Sequence, residues 1–160
     1  MSLPVVNDAK KIALYVSNDN EVITSFLIKT FRQENKQVFL PVMAKKTLEF
    51  YQYLPHEQLV AAQFGILQPP IMNKEPIEIN QIDLICLPLV AFNDDCERLG
   101  MGGGFYDHVL SYHSDLINKP WLIGLAYSFQ HVDDLPVQSF DVGLNAIVTE
   151  NMIYCTTKNK

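Results

Sequence analysis

The feature that most constrains this chain is an apolar stretch, Ile82 to Phe92, "IDLICLPLVAF", with a glycine-rich loop close behind it. Its Leu84–Phe92 part is the longest apolar run in the sequence, and it has the length of a strand. A strand that is apolar on both faces belongs in the middle of a sheet covered on both sides. The run is too short to span a membrane and is interrupted by Pro88. After a polar turn, Asn93-Asp94-Asp95, comes "RLGMGGGFYD", Arg98 to Asp107. The chain has 7 glycines, and four of them (Gly100, Gly102, Gly103, Gly104) fall within five positions. Each glycine costs folding entropy, so such a cluster marks a place that only bare backbone can occupy. Phe105, Val109 and His113, with Tyr106 and Leu110, then repeat at helical spacing, which predicts a helix from Gly103 or Gly104.

The rest of the chain alternates in the same way. Lys11–Ser17 and Gln37–Val42 read as strands, the second ended by Pro41, and Thr47–Tyr53 as a third, more exposed one. Between the first two, Glu21–Glu34 carries Val22, Phe26 and Thr30 beside Ile23, Leu27 and Phe31, a helix that Asp19 or Asn20 can cap. Pro55–Asn80 is proline-rich and reads as a long connection. Trp121–Tyr127 is a further core strand and Ala146–Thr149 a last short one. Strands alternating with helices predict an α/β fold: a largely parallel, three-layer, Rossmann-like sheet with helices on both faces. Ligands of such sheets bind beyond the carboxyl ends of the strands, where the glycine loop lies, and free amides there favour an anion.

Composition narrows the classes of function. At 160 residues and 48% hydrophobic, the chain suffices for one domain over residues 1–160. A net charge of −6 argues against nucleic acid as a partner, because phosphate backbones demand a basic face. No membrane span and no signal-peptide pattern is present, so a cytoplasmic protein is expected, with no membrane partner. Cys86, Cys96 and Cys155 form no metal or disulfide spacing and read as buried thiols.

Generic motifs do not fit. A Walker loop needs lysine and a hydroxyl after its last glycine, and the dinucleotide fingerprint would need glycine at Phe105. His56-Glu57 begins a zinc-protease motif, but Val60 stands where its second histidine belongs. Local physics leaves the glycine cluster open between a phosphate cradle and a structural turn. Asp107, early in its helix, either complements the helix dipole or, with phosphate beside it, supplies an oxygen to a magnesium ion. Asp141, in "SFDVGLNAIVTE", reads as a turn residue before a strand.

"RLGMGGGFYDHVL" resembles the signature of the 5-formyltetrahydrofolate cyclo-ligase family, usually close to Arg-Leu-Gly-Arg-Gly-Gly-Gly-Tyr-Tyr-Asp-Arg. "KKIALYVSNDNEVITSFLI", "FGILQPP", "IDLICLPLVAFN" and "LIGLAYSFQ" through "VDDLPVQSFDVGLNAIVTE" resemble other blocks of that family in the same order. The resemblance implies ATP- and magnesium-dependent conversion of 5-formyltetrahydrofolate to 5,10-methenyltetrahydrofolate through a phosphorylated formyl group, by a monomer. It also implies roles. Arg98, Leu99, Gly100, Met101, Gly102, Gly103, Gly104, Phe105 and Tyr106 would line the ATP phosphates. Met101 to Phe105 would border the formyl-folate as well, with Val16 as an apolar contact and Glu21 holding the pterin. Asp107 and Asp141 match the family's magnesium carboxylates. The match departs at Met101 and His108, where the family usually has arginine. The chain is also expected to lack the basic helical segment that usually precedes the family's first strand. A relative that binds folate or nucleotide without turnover is the alternative.

Overall fold

The computed structural model describes residues 3–18, 20–45, 47–62, 65–111, 115–136 and 141–156. The proposed cap Asp19 and the helical position His113 lie outside them.

Leu84–Leu87 (β6) is fully buried and takes the central place in a seven-stranded sheet. To one side of it lie Lys11–Ala13 (β1), Gln37–Ala44 (β2) and Thr47–Gln52 (β3); to the other, Trp121–Leu125 (β9), Ala146–Val148 (β10) and Ile153–Cys155 (β11). The order is β11-β10-β9-β6-β1-β2-β3; the five inner strands are parallel, and β3 and β11 are antiparallel edges.

Alternation along each strand sorts the core into two layers. Ile85, Leu87, Ala13, Leu122 and Ile147 face one side, where Phe105–Leu110 (α3) packs through Leu110, Tyr106 and Val109. Leu84, Cys86, Ile12, Leu14, Ile123 and Ala146 face the other, under Pro4–Asp8 (α1) and Ser25–Gln33 (α2), which contribute Val5, Val6, Ile28 and Phe31. The result is the three-layer α/β sheet expected.

Several boundaries differ from the sequence reading, each for a physical reason. The stretch Ile82–Phe92 is not one strand. Pro88 has no N–H to give a ladder, so β6 ends at Leu87, and Ala91–Phe92 (β7) leaves the sheet to pair with Arg98–Leu99 (β8). Conversely, Gln37–Ala44 continues through Pro41, because β1 pairs with β2 only as far as Phe39 and no neighbour there needs the missing donor. Helix α2 begins at Ser25 after Thr24, whose hydroxyl donates to the Tyr15 carbonyl at 2.6 Å, so Glu21 lies in the preceding turn. Asn20, with φ of 64°, is no cap. Residues 55–80 include a small ribbon, Val60–Ala61 (β4) with Leu67–Gln68 (β5). Cys155 is exposed, unlike Cys86 and Cys96, because it lies on the edge strand β11, which the sequence reading did not anticipate.

Candidate active site

The parallel strands β1, β6 and β9 lie side by side, and the chain leaving their carboxyl ends builds one edge of the molecule. After β1 come Val16 and Glu21. Beyond β6 come the β7–β8 ribbon, the glycine loop and α3. After β9 comes a turn, Ser128–Gln130, whose Gln130 side chain donates to the carbonyls of Leu89 and Val90 at 2.8 and 3.1 Å. That bond ties the exit of β9 to the exit of β6.

The glycine loop starts from the ribbon and ends in α3. Gly104 is the N-cap of α3 and has φ of 62°, a left-handed conformation that L-residues adopt at a cost. At Gly103 the constraint is space, since a Cβ there would lie 2.9 Å from the Phe105 ring. Met101 to Gly104 are exposed, whereas Phe105 and Tyr106 are half-buried and pack on the α3 side of the sheet. With only six residues, α3 has a weak dipole.

Below the loop, Arg98 Nη2 donates to Asp107 Oδ1 at 2.6 Å. The Arg98 side chain is 3% exposed and that of Asp107 22%. Next to this pair opens a cavity of about 420 Å³ lined by Leu99, Gly100, Gly102, Gly104, Asp107, His108, Ser111 and Asp141. Asp107 and Asp141, far apart in sequence, therefore line the same cavity. Among the described residues, the lining holds two carboxylates and neither lysine nor arginine.

Glu21 and Val16 stand outside that cavity, along the same strand-end edge. The Asn18 N–H donates to Glu21 Oε2 at 2.8 Å, and burial pushes the Glu21 carboxyl above its ordinary pKa against that bond. Burial, followed by the Glu21 charge, also raises the phenols of Tyr15 and Tyr106. Glu21 and the helix that follows the glycine loop are thus within electrostatic reach of each other. Val16 is half-buried against the α2 side of the core.

The sequence reading missed Tyr15, whose hydroxyl donates to the Val22 carbonyl at 2.9 Å and so holds the turn bearing Glu21. "KIALYVS" gave no hint that Tyr15 differs from its apolar neighbours. Ser111 was missed because nothing but the course of α3 brings it to the cavity.

Comparison with known proteins places the chain in a family. The model of the 5-formyltetrahydrofolate cyclo-ligase family matches residues 1–150. The chain belongs to the 5-formyltetrahydrofolate cyclo-ligase family. It is 43% identical to the 5-formyltetrahydrofolate cyclo-ligase of Haemophilus influenzae over 140 residues, 85% of this chain and 73% of that protein. To the Escherichia coli K12 protein of the same name it is 34% identical over 157 residues, 96% of this chain and 85% of that one. The NMR structure of Aquifex aeolicus 5,10-methenyltetrahydrofolate synthetase superposes with a TM-score of 0.81 at 31% identity, covering 99% of this chain and 78% of that one. The family is one of ligases. Among the described residues, no helix is long and apolar enough to cross a membrane.

Proposed function

We propose that this chain closes 5-formyltetrahydrofolate to 5,10-methenyltetrahydrofolate at the expense of ATP, releasing ADP and phosphate. The observation that carries the reading is that Asp107 and Asp141 line one cavity together with glycines of the loop, in a chain of this family.

The chemistry explains the need for ATP. A formamide carbon is a poor electrophile, and its oxygen is a poor leaving group. Attack of the formyl oxygen on the γ-phosphorus expels ADP and gives an imidoyl phosphate. The N10 amine then adds to the activated carbon, the C–O bond breaks, and phosphate leaves while N10 gives up its proton. Little covalent work falls to the protein; positioning and charge stabilisation dominate.

The residues present suit such a role. Magnesium is commonly held by one or two carboxylates, with water and substrate phosphates completing its shell. Asp107 and Asp141 provide two carboxylates, and among the described residues no group of three or more metal-ligating side chains suggests a tighter, all-protein site. Magnesium bound there would neutralise phosphate charge. The cavity needs that help, because among the described residues its lining contains no lysine or arginine. The exposed backbone of Gly102 to Gly104 is open to close approach by phosphate. Glu21, held by Asn18, can accept two N–H bonds from a pterin edge, and Val16 offers an apolar neighbour. A monomer in the cytoplasm remains the expectation.

The alternative is a relative that binds folate or nucleotide without turnover. The test is direct. Purified protein with 5-formyltetrahydrofolate, ATP and magnesium should develop the near-ultraviolet absorbance of the methenyl product, with ADP formed in equal amount. Bound ligands without product would establish the binding-only reading.

A further inference from the structure

We propose that Arg98 is a positioning residue rather than a phosphate contact: buried beneath the glycine loop, it clasps the loop at its two ends and fixes the Asp107 carboxylate at the cavity wall. That Asp107 then serves a nucleotide-bound cation rests on the function proposed above; the clasp does not.

Four observations carry this. Arg98 precedes the glycines and Asp107 follows them, and their 2.6 Å ion pair closes the segment between them into a loop with a fixed base. The Arg98 side chain is 3% exposed and does not line the cavity, whereas Asp107 does. A Cβ added at Gly100 would lie 3.2 Å from Arg98 Nη1, so the loop backbone passes close to the guanidinium and a side chain there would crowd it. Arg98 Nε is buried without a hydrogen-bond partner. An arginine that reads phosphate presents its fork of donors to the ligand. Here part of that fork is sealed inside the protein and another part is spent on Asp107.

The consequence for Asp107 is orientation. A charge-assisted bond to Oδ1 fixes the plane of the carboxylate and leaves Oδ2 outside that bond. The loop gains a rigid base under an apex where Gly102 and Gly104 have nothing to crowd a Cβ. This separates the anchoring of the loop from whatever the apex touches.

The test compares the whole chain with Arg98→Gln, Asp107→Asn, the double variant and Arg98→Lys. The first readout needs no ligand. The amides of Val90 and His108 bond the carbonyls of Leu99 and Gly104 and so flank the loop. Their hydrogen exchange should quicken by about tenfold or more in Arg98→Gln, with β6 and β9 unchanged. Arg98→Lys, which keeps the charge without the fork, should recover part of the protection. Unchanged exchange in every variant would overturn the clasp. The second readout is ATP affinity by calorimetry, with magnesium and with EDTA. With magnesium, Arg98→Gln and Asp107→Asn should each weaken ATP by a similar factor, and the double variant by no more than either, because the two residues act as one unit. In EDTA, Arg98→Gln should match the wild type within about twofold. A drop of about tenfold or more in EDTA, additive with Asp107→Asn, would show direct phosphate contact and overturn the positioning role. If the wild type binds no ATP in either buffer, the proposed function fails while the exchange measurement still decides the clasp. Should Arg98→Gln not fold, Arg98→Lys replaces it in both arms with the same expectations reduced in size.

Discussion

Asn18 and Glu21 close a small turn on each other: the Asn18 N–H donates to Glu21 Oε2 at 2.8 Å, and the Glu21 N–H donates to the Asn18 carbonyl at 3.0 Å. The carboxylate is therefore aimed before any ligand arrives. It is also half-buried, and burial outweighs the Asn18 bond in setting its pKa above the ordinary value.

A linkage follows from that direction. A carboxyl whose folded pKa is raised holds its proton more tightly in the folded state, so its stabilising contribution is complete below the unfolded pKa and is lost as pH rises through the folded pKa. At neutral pH the charged Glu21 thus weakens the ligand-free protein. Glu21→Gln should melt higher than wild type at pH 7, with the gap closing as the pH falls towards the ordinary carboxylate range. The same variant should bind 5-formyltetrahydrofolate about tenfold or more weakly, because a pterin donor left poorly paired costs about 1–3 kcal/mol. ATP affinity should hold. Melting curves across pH and a folate titration check both halves, and unchanged folate affinity would remove Glu21 from the site.

Gly124 gives a stability test away from the loop. It lies in β9, where an added Cβ would come within 2.7 Å of Leu144 Cδ1, 2.8 Å of Leu89 Cδ2 and 3.1 Å of Ile147 Cγ1. Three well-packed side chains cannot all yield. Gly124→Ala should cost about 1–3 kcal/mol by overpacking. In a domain of this size each kcal/mol lowers Tm by about 2–4 °C. A melting temperature equal to wild type would mean that this layer of the core is looser than its contacts indicate.

The three cysteines should separate by reactivity. Burial pushes the Cys86 thiol up to about 12 and the Cys96 thiol up to about 11, which leaves little thiolate at neutral pH. Cys155 is exposed. A thiol reagent at pH 7.5 should therefore label the native chain once, at Cys155, and the denatured chain at all 3 cysteines. Rapid labelling of Cys86 or Cys96, located by peptide mapping, would contradict their burial.

What the sequence disclosed follows the physics of each signal. Continuous apolar runs report burial on both faces, so β6 and β9 were legible as core strands of a parallel sheet. Helical spacing was less reliable near α2. Counted from Glu21, the pattern placed Phe26 on the apolar face. The helix instead starts at Ser25 and buries Ile28 and Phe31, leaving Phe26 75% exposed. Residues of the glycine loop were legible because a cluster of glycines, two of them at positive φ, leaves a local mark. The meeting of Asp141 and Asp107 at one cavity, and the burial of Arg98, depend on how segments distant in sequence come together in the fold. No local pattern encodes such long-range placement. Asp141 entered the candidate site through family resemblance, and Arg98 looked like a phosphate residue for the same reason.

Met101 tests whether the apex of the loop faces phosphate. Its side chain is 77% exposed, so it fills no part of the core, and an arginine there would meet no packed neighbour. Among the described residues, the cavity beside it carries Asp107 and Asp141 and neither lysine nor arginine, and Arg98 is spent on Asp107. A chain of net charge −6 therefore presents little positive charge to a triphosphate at this point. Met101→Arg would supply a guanidinium on a flexible stem at the loop tip. A charge-assisted bond to phosphate is worth roughly 1.5–3 kcal/mol, and about 1.4 kcal/mol corresponds to a factor of ten. ATP should then bind about tenfold more tightly, with Tm in the absence of nucleotide within about 2 °C of wild type, since an exposed substitution changes stability by only ~0.5 kcal/mol. Raised salt should shrink the gain, because an exposed charge is screened. Calorimetric titration of ATP against both proteins at two salt concentrations measures each effect. A well-folded variant with unchanged or weaker ATP affinity would mean that the loop turns this position away from phosphate.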